Sequence, residues 1–164
     1  MALKVLTVDD SKTIRMIVKK AFQAYSCEVF EAENGVEGLA AATKEKPGLI
    51  ILDITMPGMS GLEALDALKA EKPSPEVILL TADSTLGTAV AGMKGGARDY
   101  LLKPTDIDTL VAAIGEAEGR RMESLSRQRM AETAAKDAGK LRQAVERSFL
   151  QVRGADHLLI SQYD

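Results

Sequence analysis

The sequence predicts an α/β fold: an open, doubly wound sheet of five parallel strands, followed by a C-terminal helical extension. Short apolar runs alternate five times with segments of helical periodicity, which is typical of a parallel sheet with helices on both faces. Residues 49–52 are apolar throughout, as in a strand that is buried on both faces. The composition, with 46% hydrophobic and 27% charged residues, is that of a globular chain.

A polar residue directly follows the first, third, fourth and fifth predicted strands. The helices repeat apolar residues at helical spacing, except that the fourth is mainly rich in small residues. Ser11 follows the first strand and can cap the first helix. In the second helix, Val36, Leu39 and Ala40 are predicted to lie on one side as its apolar face. The strands are predicted at residues 3–8, 27–31, 49–52, 76–80 and 100–102. The helices are predicted to begin after Ser11 and near residues 34, 61, 84 and 106.

The expected topology follows from general rules for parallel sheets. Crossovers between parallel strands are right-handed. We expect the flavodoxin-like strand order 2-1-3-4-5, because this order places a ligand site where the first and third strands are neighbours. The sequence pattern alone does not determine that order.

The composition changes near residue 120, which divides the chain into a predicted domain, residues 1–120, and a helical extension, residues 121–164. The first part of the extension is polar, with good helix propensity and a weak apolar stripe. An amphipathic face is then predicted from the spacing of Leu141, Val145, Phe149 and Val152. We expect Gly139 to divide the extension into two helices and Gly154 to end the second. The apolar residues 157–160 are not expected to be wholly solvated.

Charge and composition exclude several classes of protein. The net charge of −3 argues against a non-specific nucleic-acid binder, which is usually basic. The extension is too short for a DNA-binding effector domain of familiar size. The single cysteine, Cys27, allows no internal disulfide. No apolar run reaches the roughly 18 residues of a membrane span, and the N-terminus lacks the pattern of a signal peptide. We therefore expect a cytoplasmic protein.

Three carboxylates follow two of the predicted strands. Asp9 and Asp10 come after the first strand, and Asp53 comes after the third. Parallel strands end at the same edge of a sheet, so these side chains share one pocket if the two strands are neighbours. Clustered carboxylates repel one another, and a hard divalent cation such as Mg²⁺ relieves that repulsion. The pattern predicts a magnesium site with Asp53 as the best nucleophile.

Two further strand ends supply the remaining groups for phosphoryl transfer. Thr81 follows the fourth strand and offers a hydroxyl, and Lys103 follows the fifth and offers a mobile cation. Phosphoryl transfer depends mainly on positioning and on charge stabilisation. A carboxylate nucleophile, a metal, a lysine and a hydroxyl meet these needs.

With these motifs in place, the chain closely resembles the receiver domains of two-component response regulators, the CheY-like family. The resemblance covers roughly residues 1–120 and depends on a combination of segments. These segments are Val8-Asp9-Asp10-Ser11, residues 52–61 with Met56-Pro57-Gly58, Leu80-Thr81-Ala82 and residues 96–104 with Lys103-Pro104.

The resemblance implies a role for each site residue. Asp53 would accept a phosphoryl group from the phosphohistidine of a histidine kinase. Mg²⁺ would bind Asp10 and Asp53, with Asp9 reaching it directly or through water, and the backbone carbonyl of Thr55. Lys103 would pair with the phosphoryl group.

The resemblance also implies a switch. Thr81 would turn inward to the phosphoryl group, and Tyr100 would move from an exposed to a buried position. Thr55 and Asp83 would flank the site and affect the access of water. Lys103-Pro104 resembles the cis peptide of the family. The protein would not be an enzyme, although it would assist its own phosphotransfer and autodephosphorylation. The surface formed by the fourth helix, fifth strand and fifth helix would then bind a downstream target.

Alternatives remain for the extension and for the site. The extension could pack on the receiver or on a second copy as a homodimer, or it could dock on a separate protein. Its arginines could also bind a cyclic dinucleotide. A haloacid-dehalogenase-like phosphatase uses similar groups, but its nucleophile follows the first strand in an Asp-x-Asp arrangement that Asp9-Asp10-Ser11 does not match. A pseudo-receiver that is never phosphorylated would not need all five site residues.

Overall fold

The computed structural model describes residues 3–71 and 74–160, with side chains as far as residue 154. One sheet contains five parallel strands in the order β2-β1-β3-β4-β5, which confirms the predicted topology. The strands are β1 (Leu3–Val8), β2 (Cys27–Ala32), β3 (Leu49–Leu52), β4 (Glu76–Thr81) and β5 (Asp99–Leu102). The helices are α1 (Lys12–Phe22), α2 (Gly35–Glu45), α3 (Gly61–Ala70), α4 (Leu86–Lys94) and α5 (Ile107–Ile160).

The register of the two central strands determines where the acidic residues emerge. Val8 of β1 pairs with Leu52 of β3. The residues that follow, Asp9 and Asp53, therefore leave the sheet next to each other. The backbone N–H of Asp53 also donates to the carbonyl oxygen of Val8 at 2.9 Å, which extends the ladder by one residue to the edge of the site.

Both faces of the sheet are covered. Ile51 points into the core formed with α1 and the first turns of α5, whereas Ile50 points into the core formed with α2 and α3. Each of the four residues of β3 is at most 2% exposed, which explains its uninterrupted apolar sequence. The central strand is thereby held from both sides, and with it the position of Asp53.

The buried face of α2 differs from the prediction. Val36 is 65% exposed and Ala40 is also exposed, while Gly35 and Gly38 are buried and Leu39 is half-buried. A Cβ atom on Gly38 would lie 2.9 Å from a methyl carbon of Val8. The predicted face was wrong because glycine, which has no side chain, lets the helix approach the sheet without contributing to the hydrophobic pattern.

The extension is one continuous helix where two were expected. Helix α5 passes through Gly139 and Gly154 without interruption. A glycine inside a helix costs only about 1 kcal/mol relative to alanine, and the good helix formers around Gly139 outweigh this cost. The predictions of a break at Gly139 and an end at Gly154 were therefore wrong. The side chains of residues 157–160 lie outside the description.

The chain forms two compact units that divide between Arg121 and Met122. In the second unit, the amphipathic face predicted from the sequence is exposed, with Leu141 at 67% and Val145 at 59%. Among the helices that the structure describes, none combines the length and the hydropathy that crossing a membrane would require.

Candidate functional site

The three carboxylates meet at the ends of β1 and β3. Asp9 and Asp53 are buried, at 2% and 4% exposure, whereas Asp10 is exposed. One carboxylate oxygen of each residue lies within 4.8 Å of those of the other two. The backbone N–H of Ser11 donates to Asp9 Oδ1 at 2.9 Å, and the backbone N–H of Thr55 donates to Asp53 Oδ1 at 3.3 Å. These bonds orient the two buried side chains towards a common point.

Lys103 reaches this point from the end of β5. Its Nζ lies 2.7 Å from Asp9 Oδ2 and 3.4 Å from Asp53 Oδ2. The backbone N–H of Lys103 donates to the carbonyl oxygen of Thr81 at 2.8 Å, which places the lysine beside the end of β4. The Lys103-Pro104 peptide bond is cis. One ammonium thus faces both buried carboxylates.

The environment of Asp53 disfavours its charged form. Burial raises the pKa of its carboxyl group, and the negative charge of Asp9 raises it further. The ammonium of Lys103 and the N–H of Thr55 act in the opposite direction but do not cancel these effects. An added cation would therefore be favourable at this position, because the existing positive charge is insufficient.

The donor set fits a hard divalent cation such as Mg²⁺. All three side-chain donors are oxygens, and three carboxylates face a single ammonium group in the cluster. Magnesium prefers carboxylate oxygen ligands and retains several water molecules, for which the exposed side chain of Asp10 leaves room. The cluster therefore has the composition and the charge of a magnesium site.

Thr81, Asp83 and Tyr100 form a connected group next to the carboxylates. Thr81 is fully buried, and its Oγ1 accepts a hydrogen bond from the backbone N–H of Asp83 at 3.3 Å. The hydroxyl of Tyr100, which is half-buried, donates to the carbonyl oxygen of Asp83. The Asp83 backbone thus links the threonine to the tyrosine.

The side chain of Asp83 stabilises the loop between β4 and α4. Its Oδ1 accepts from the backbone N–H of Thr85 at 2.9 Å, and its Oδ2 accepts from Thr88 Oγ1 at 3.0 Å. These hydrogen bonds, with the Thr85 N–H first, lower the pKa of Asp83. Asp83 is therefore engaged in local structure, and the side chain of Thr55 on the opposite loop is exposed.

Gly61 packs directly against the backbone of Asp53 and Ile54, a role that the sequence patterns did not indicate. A Cβ atom on Gly61 would lie 2.1 Å from the carbonyl oxygen of Asp53 and 2.6 Å from Cα of Ile54. Its N–H donates to the carbonyl oxygen of Ile54 at 2.8 Å. Helix α3 therefore begins in direct contact with the backbone of Asp53, and only glycine fits there.

Arg15 is a second residue that the sequence analysis missed. It is 6% exposed, and its Nη1 donates to the backbone carbonyl oxygen of Asp9 at 2.7 Å. Its Nε donates to Glu31 Oε1 at 3.3 Å. The available signal was its position on the buried face of α1, in line with Val18 and Phe22. A charged residue on such a face needs partners, and here they hold the end of β1.

Two arginines near the start of the extension are paired with carboxylates of the same helix. Arg127 Nη2 lies 3.5 Å from Glu123 Oε2, and the pair is largely exposed. Arg121 Nε donates to Glu118 Oε2 at 2.7 Å. Carboxylates thus already face two of the guanidinium groups that a cyclic dinucleotide would have to bind.

Comparison with protein families agrees with this geometry. The model described as "Response regulator receiver domain" matches residues 5–115. The chain is 40% identical over 116 residues to the chemotaxis protein CheY of Listeria monocytogenes, a match that covers 70% of this chain and 98% of that protein. It is 39% identical over 113 residues to protein PilH of Pseudomonas aeruginosa, covering 68% and 93% of the two chains.

Other relatives and solved structures match the same region. The DNA-binding transcriptional regulator NtrC of Salmonella typhimurium is 42% identical over 113 residues, which are 69% of this chain but 24% of that protein. The signal receiver domain of a putative LuxO repressor protein from Vibrio parahaemolyticus superimposes with a TM-score of 0.72 at 31% identity. That match covers 77% of this chain and 98% of the other.

Proposed function

The chain belongs to the response regulator receiver family, and we propose that it is a phosphoacceptor in which Asp53 takes a phosphoryl group from a histidine kinase. The observation that carries the proposal is the position of Asp53: a buried carboxylate within reach of Lys103 and of two further carboxylates. We place the reaction in the cytoplasm, where ATP supplies the phosphoryl group of such kinases.

In the proposed transfer, a carboxylate oxygen of Asp53 attacks the phosphorus atom. An O–P bond forms, the P–N bond of the phosphohistidine breaks, and the imidazole nitrogen keeps the electron pair. The ammonium of Lys103, 3.4 Å from Asp53 Oδ2, can follow the negative charge onto the phosphoryl oxygens. The N–H of Thr55, 3.3 Å from Oδ1, holds the carboxylate in place. The product is an acyl phosphate on the chain itself, so we treat the protein as a phosphoacceptor rather than as an enzyme.

Magnesium is the cofactor that this site supports. Asp9, Asp10 and Asp53, with the backbone carbonyl of Thr55, would hold the ion. When bound, it would neutralise the charge of the carboxylates and of the incoming phosphoryl group.

The proposed output is a change of surface. The phosphoryl group adds roughly two negative charges and strong acceptor oxygens. Thr81 can turn its hydroxyl towards it, and Tyr100 can follow through the Asp83 backbone. The neighbouring surface of α4, β5 and the start of α5 exposes Leu86, Val90 and Leu102 at 79%, 42% and 47%. These side chains would provide the contact area for a downstream protein target.

The test is labelling by a small phosphodonor such as acetyl phosphate in the presence of Mg²⁺. We expect one phosphate per wild-type chain and none on Asp53→Asn, while Asp66→Asn, at an exposed position on α3, is labelled normally. Normal labelling of Asp53→Asn would contradict the assignment. Continued release of phosphate from an ester substrate would instead support a phosphatase.

A further inference from the structure

The extension exposes a row of large apolar side chains. In the helix beyond residue 121, Leu141, Val145, Phe149 and Val152 are each 59–67% exposed. Most helical stability in proteins comes from burial of an apolar face rather than from helix propensity. We therefore expect another protein surface to cover this face, and the surrounding sequence indicates which surface that is.

Three residues of this row, Leu141, Val145 and Val152, belong to a heptad pattern, and Phe149 lies beside it. Positions spaced alternately by three and four residues, here called the seam, carry only alanine, leucine, valine and serine over three heptads. The seam consists of Ala131, Ala134, Ala138, Leu141, Val145, Ser148 and Val152. In heptad notation, Val145 and Val152 occupy a positions and Leu141 a d position. Among parallel coiled coils, β-branched residues at a with leucine at d favour two strands.

The charged residues avoid the seam. Eight charged residues lie between positions 131 and 153, and six of them occupy the outer b, c and f positions. These six are Glu132, Lys136, Lys140, Glu146, Arg147 and Arg153. The other two, Asp137 at g and Arg142 at e, flank the seam and carry opposite charges. Flanking charges of this kind select the partner and its orientation.

A second copy of the chain, parallel and in register, matches these flanking positions. In that arrangement each g residue faces the e residue five positions later on the other helix. The resulting pairs are Met130 with Ala135, Asp137 with Arg142, and Ala144 with Phe149. One pair is oppositely charged, and the other two set a large side chain against a small one. The helix therefore complements itself at each pair.

We propose that residues 131–152 of two copies form a parallel, in-register, two-stranded coiled coil that makes the protein a homodimer. The proposal is independent of the phosphoryl chemistry, because it uses residues of the second unit alone. Three of the seven seam residues are alanines, so the buried apolar area per heptad is small. The dimer is consequently expected to dissociate reversibly on dilution.

Sedimentation equilibrium of the full chain tests the proposal. We expect a mass of twice the 17.6 kDa of one chain at micromolar concentrations, and a single-chain mass for Leu141→Asp. Leu150→Asp is the matched control, because Leu150 is also 67% exposed but occupies an f position on the other side of the helix. It should remain dimeric. A monomeric wild-type chain would overturn the proposal, also if its helix binds a different protein. Equal effects of Leu141→Asp and Leu150→Asp on the mass would overturn it as well.

Charge exchange and cross-linking test the orientation. Asp137→Arg and Arg142→Asp should each weaken dimerisation at least tenfold, and the double variant should restore it. In a Cys27→Ser background, Val145→Cys should form an interchain disulfide under mild oxidation, because equivalent a positions face each other only in register. Helix content from circular dichroism checks that each variant retains its helix. Failure of both the restoration and the cross-link would overturn the parallel arrangement.

Discussion

The ammonium group of Lys103 lies closer to Asp9 than to Asp53, with its Nζ 2.7 Å from Asp9 Oδ2 and 3.4 Å from Asp53 Oδ2. The lysine is thus paired with a carboxylate oxygen that could also bind a metal ion. In the metal-free site it is the positive charge paired with both buried carboxylates. A divalent cation and Lys103 must therefore compete for the same negative charge.

Replacing Lys103 by methionine should strengthen Mg²⁺ binding while it slows phosphorylation. Removing a positive charge a few ångströms from the ion favours ion binding, because like charges repel more strongly at reduced dielectric constant. We expect the Kd for Mg²⁺ to fall by about tenfold or more, and tenfold corresponds to about 1.4 kcal/mol. The loss of the cation that pairs with the phosphoryl group should reduce the labelling rate at saturating Mg²⁺ by about 100-fold. Titration calorimetry and labelling kinetics measure the two effects.

Lys20→Met is the control for Lys103→Met, because Lys20 is an exposed lysine on α1. It should change neither quantity. Weaker Mg²⁺ binding by Lys103→Met would show that the lysine supports the metal ion instead of competing with it.

Asp53→Asn should stabilise the metal-free protein at neutral pH. Burial and the charge of Asp9 raise the pKa of Asp53 in the folded state, so its ionised form is disfavoured there. The neutral amide avoids that cost, and we expect a gain of about 1 kcal/mol in the free energy of unfolding, a usual size for a single substitution. Urea titration with and without Mg²⁺ measures it, since the ion should stabilise the wild type more than the variant.

The pH dependence of this gain has a defined sign. A carboxyl group with a raised folded-state pKa favours folding when protonated, and this contribution is lost as the pH rises through the folded-state pKa. The advantage of Asp53→Asn should therefore be largest at neutral pH and disappear below the unfolded-state pKa of about 3.9. An advantage that grows on acidification would contradict the raised pKa.

Gly61→Ala should be among the most destabilising single-methyl additions in the first unit. The new Cβ would lie 2.1 Å from the Asp53 carbonyl oxygen, and backbone rather than a flexible side chain would have to move. We expect a loss of about 3 kcal/mol or more. Gly119→Ala, where nothing lies within 4 Å, should gain about 1 kcal/mol from helix propensity. Similar unfolding free energies for the two variants would show that α3 shifts at little cost.

Truncation after Arg121 should leave phosphorylation intact. The part of α5 that enters the core, Leu110, Ala113, Ile114 and Ala117, precedes that point. The Mg²⁺-dependent labelling rate should remain within a factor of two of that of the full chain. The free energy of unfolding of the first unit should change by less than about 0.5 kcal/mol. A truncated chain that fails to fold would show that the extension contributes to the core of the first unit.

The sheet could be predicted because its sequence signals are strong and local. These signals are the uninterrupted apolar run of β3 and the polar residues after the strands. Neither depends on how the helices pack against the sheet. The buried face of α2 could not be predicted, because Gly35 and Gly38 bury backbone rather than side chain. The break predicted at Gly139 does not occur, because the helix formers around this glycine outweigh the cost of one glycine in the helix.

The acidic site was predictable for a similar reason. Asp9, Asp10 and Asp53 are placed by topology, and any parallel sheet with β1 next to β3 brings them together. Arg15 and Gly61 act through the backbone of site residues, and neither contact leaves a periodic or compositional trace. The clustering of the three carboxylates could therefore be predicted from the sequence, whereas the residues that hold them in place could be found only in the structure.

The hydrogen bond from the Asp83 N–H to Thr81 Oγ1 affects how often the proposed switch would turn on without phosphorylation. Without a phosphoryl group, the hydroxyl already has a partner, and leaving it costs on the order of 1 kcal/mol. That cost alone would lower the spontaneous population of the inward rotamer about fivefold. In the proposed switch, this bond would restrain a false signal in the absence of the kinase, and phosphorylation would replace it with a stronger, charge-assisted one.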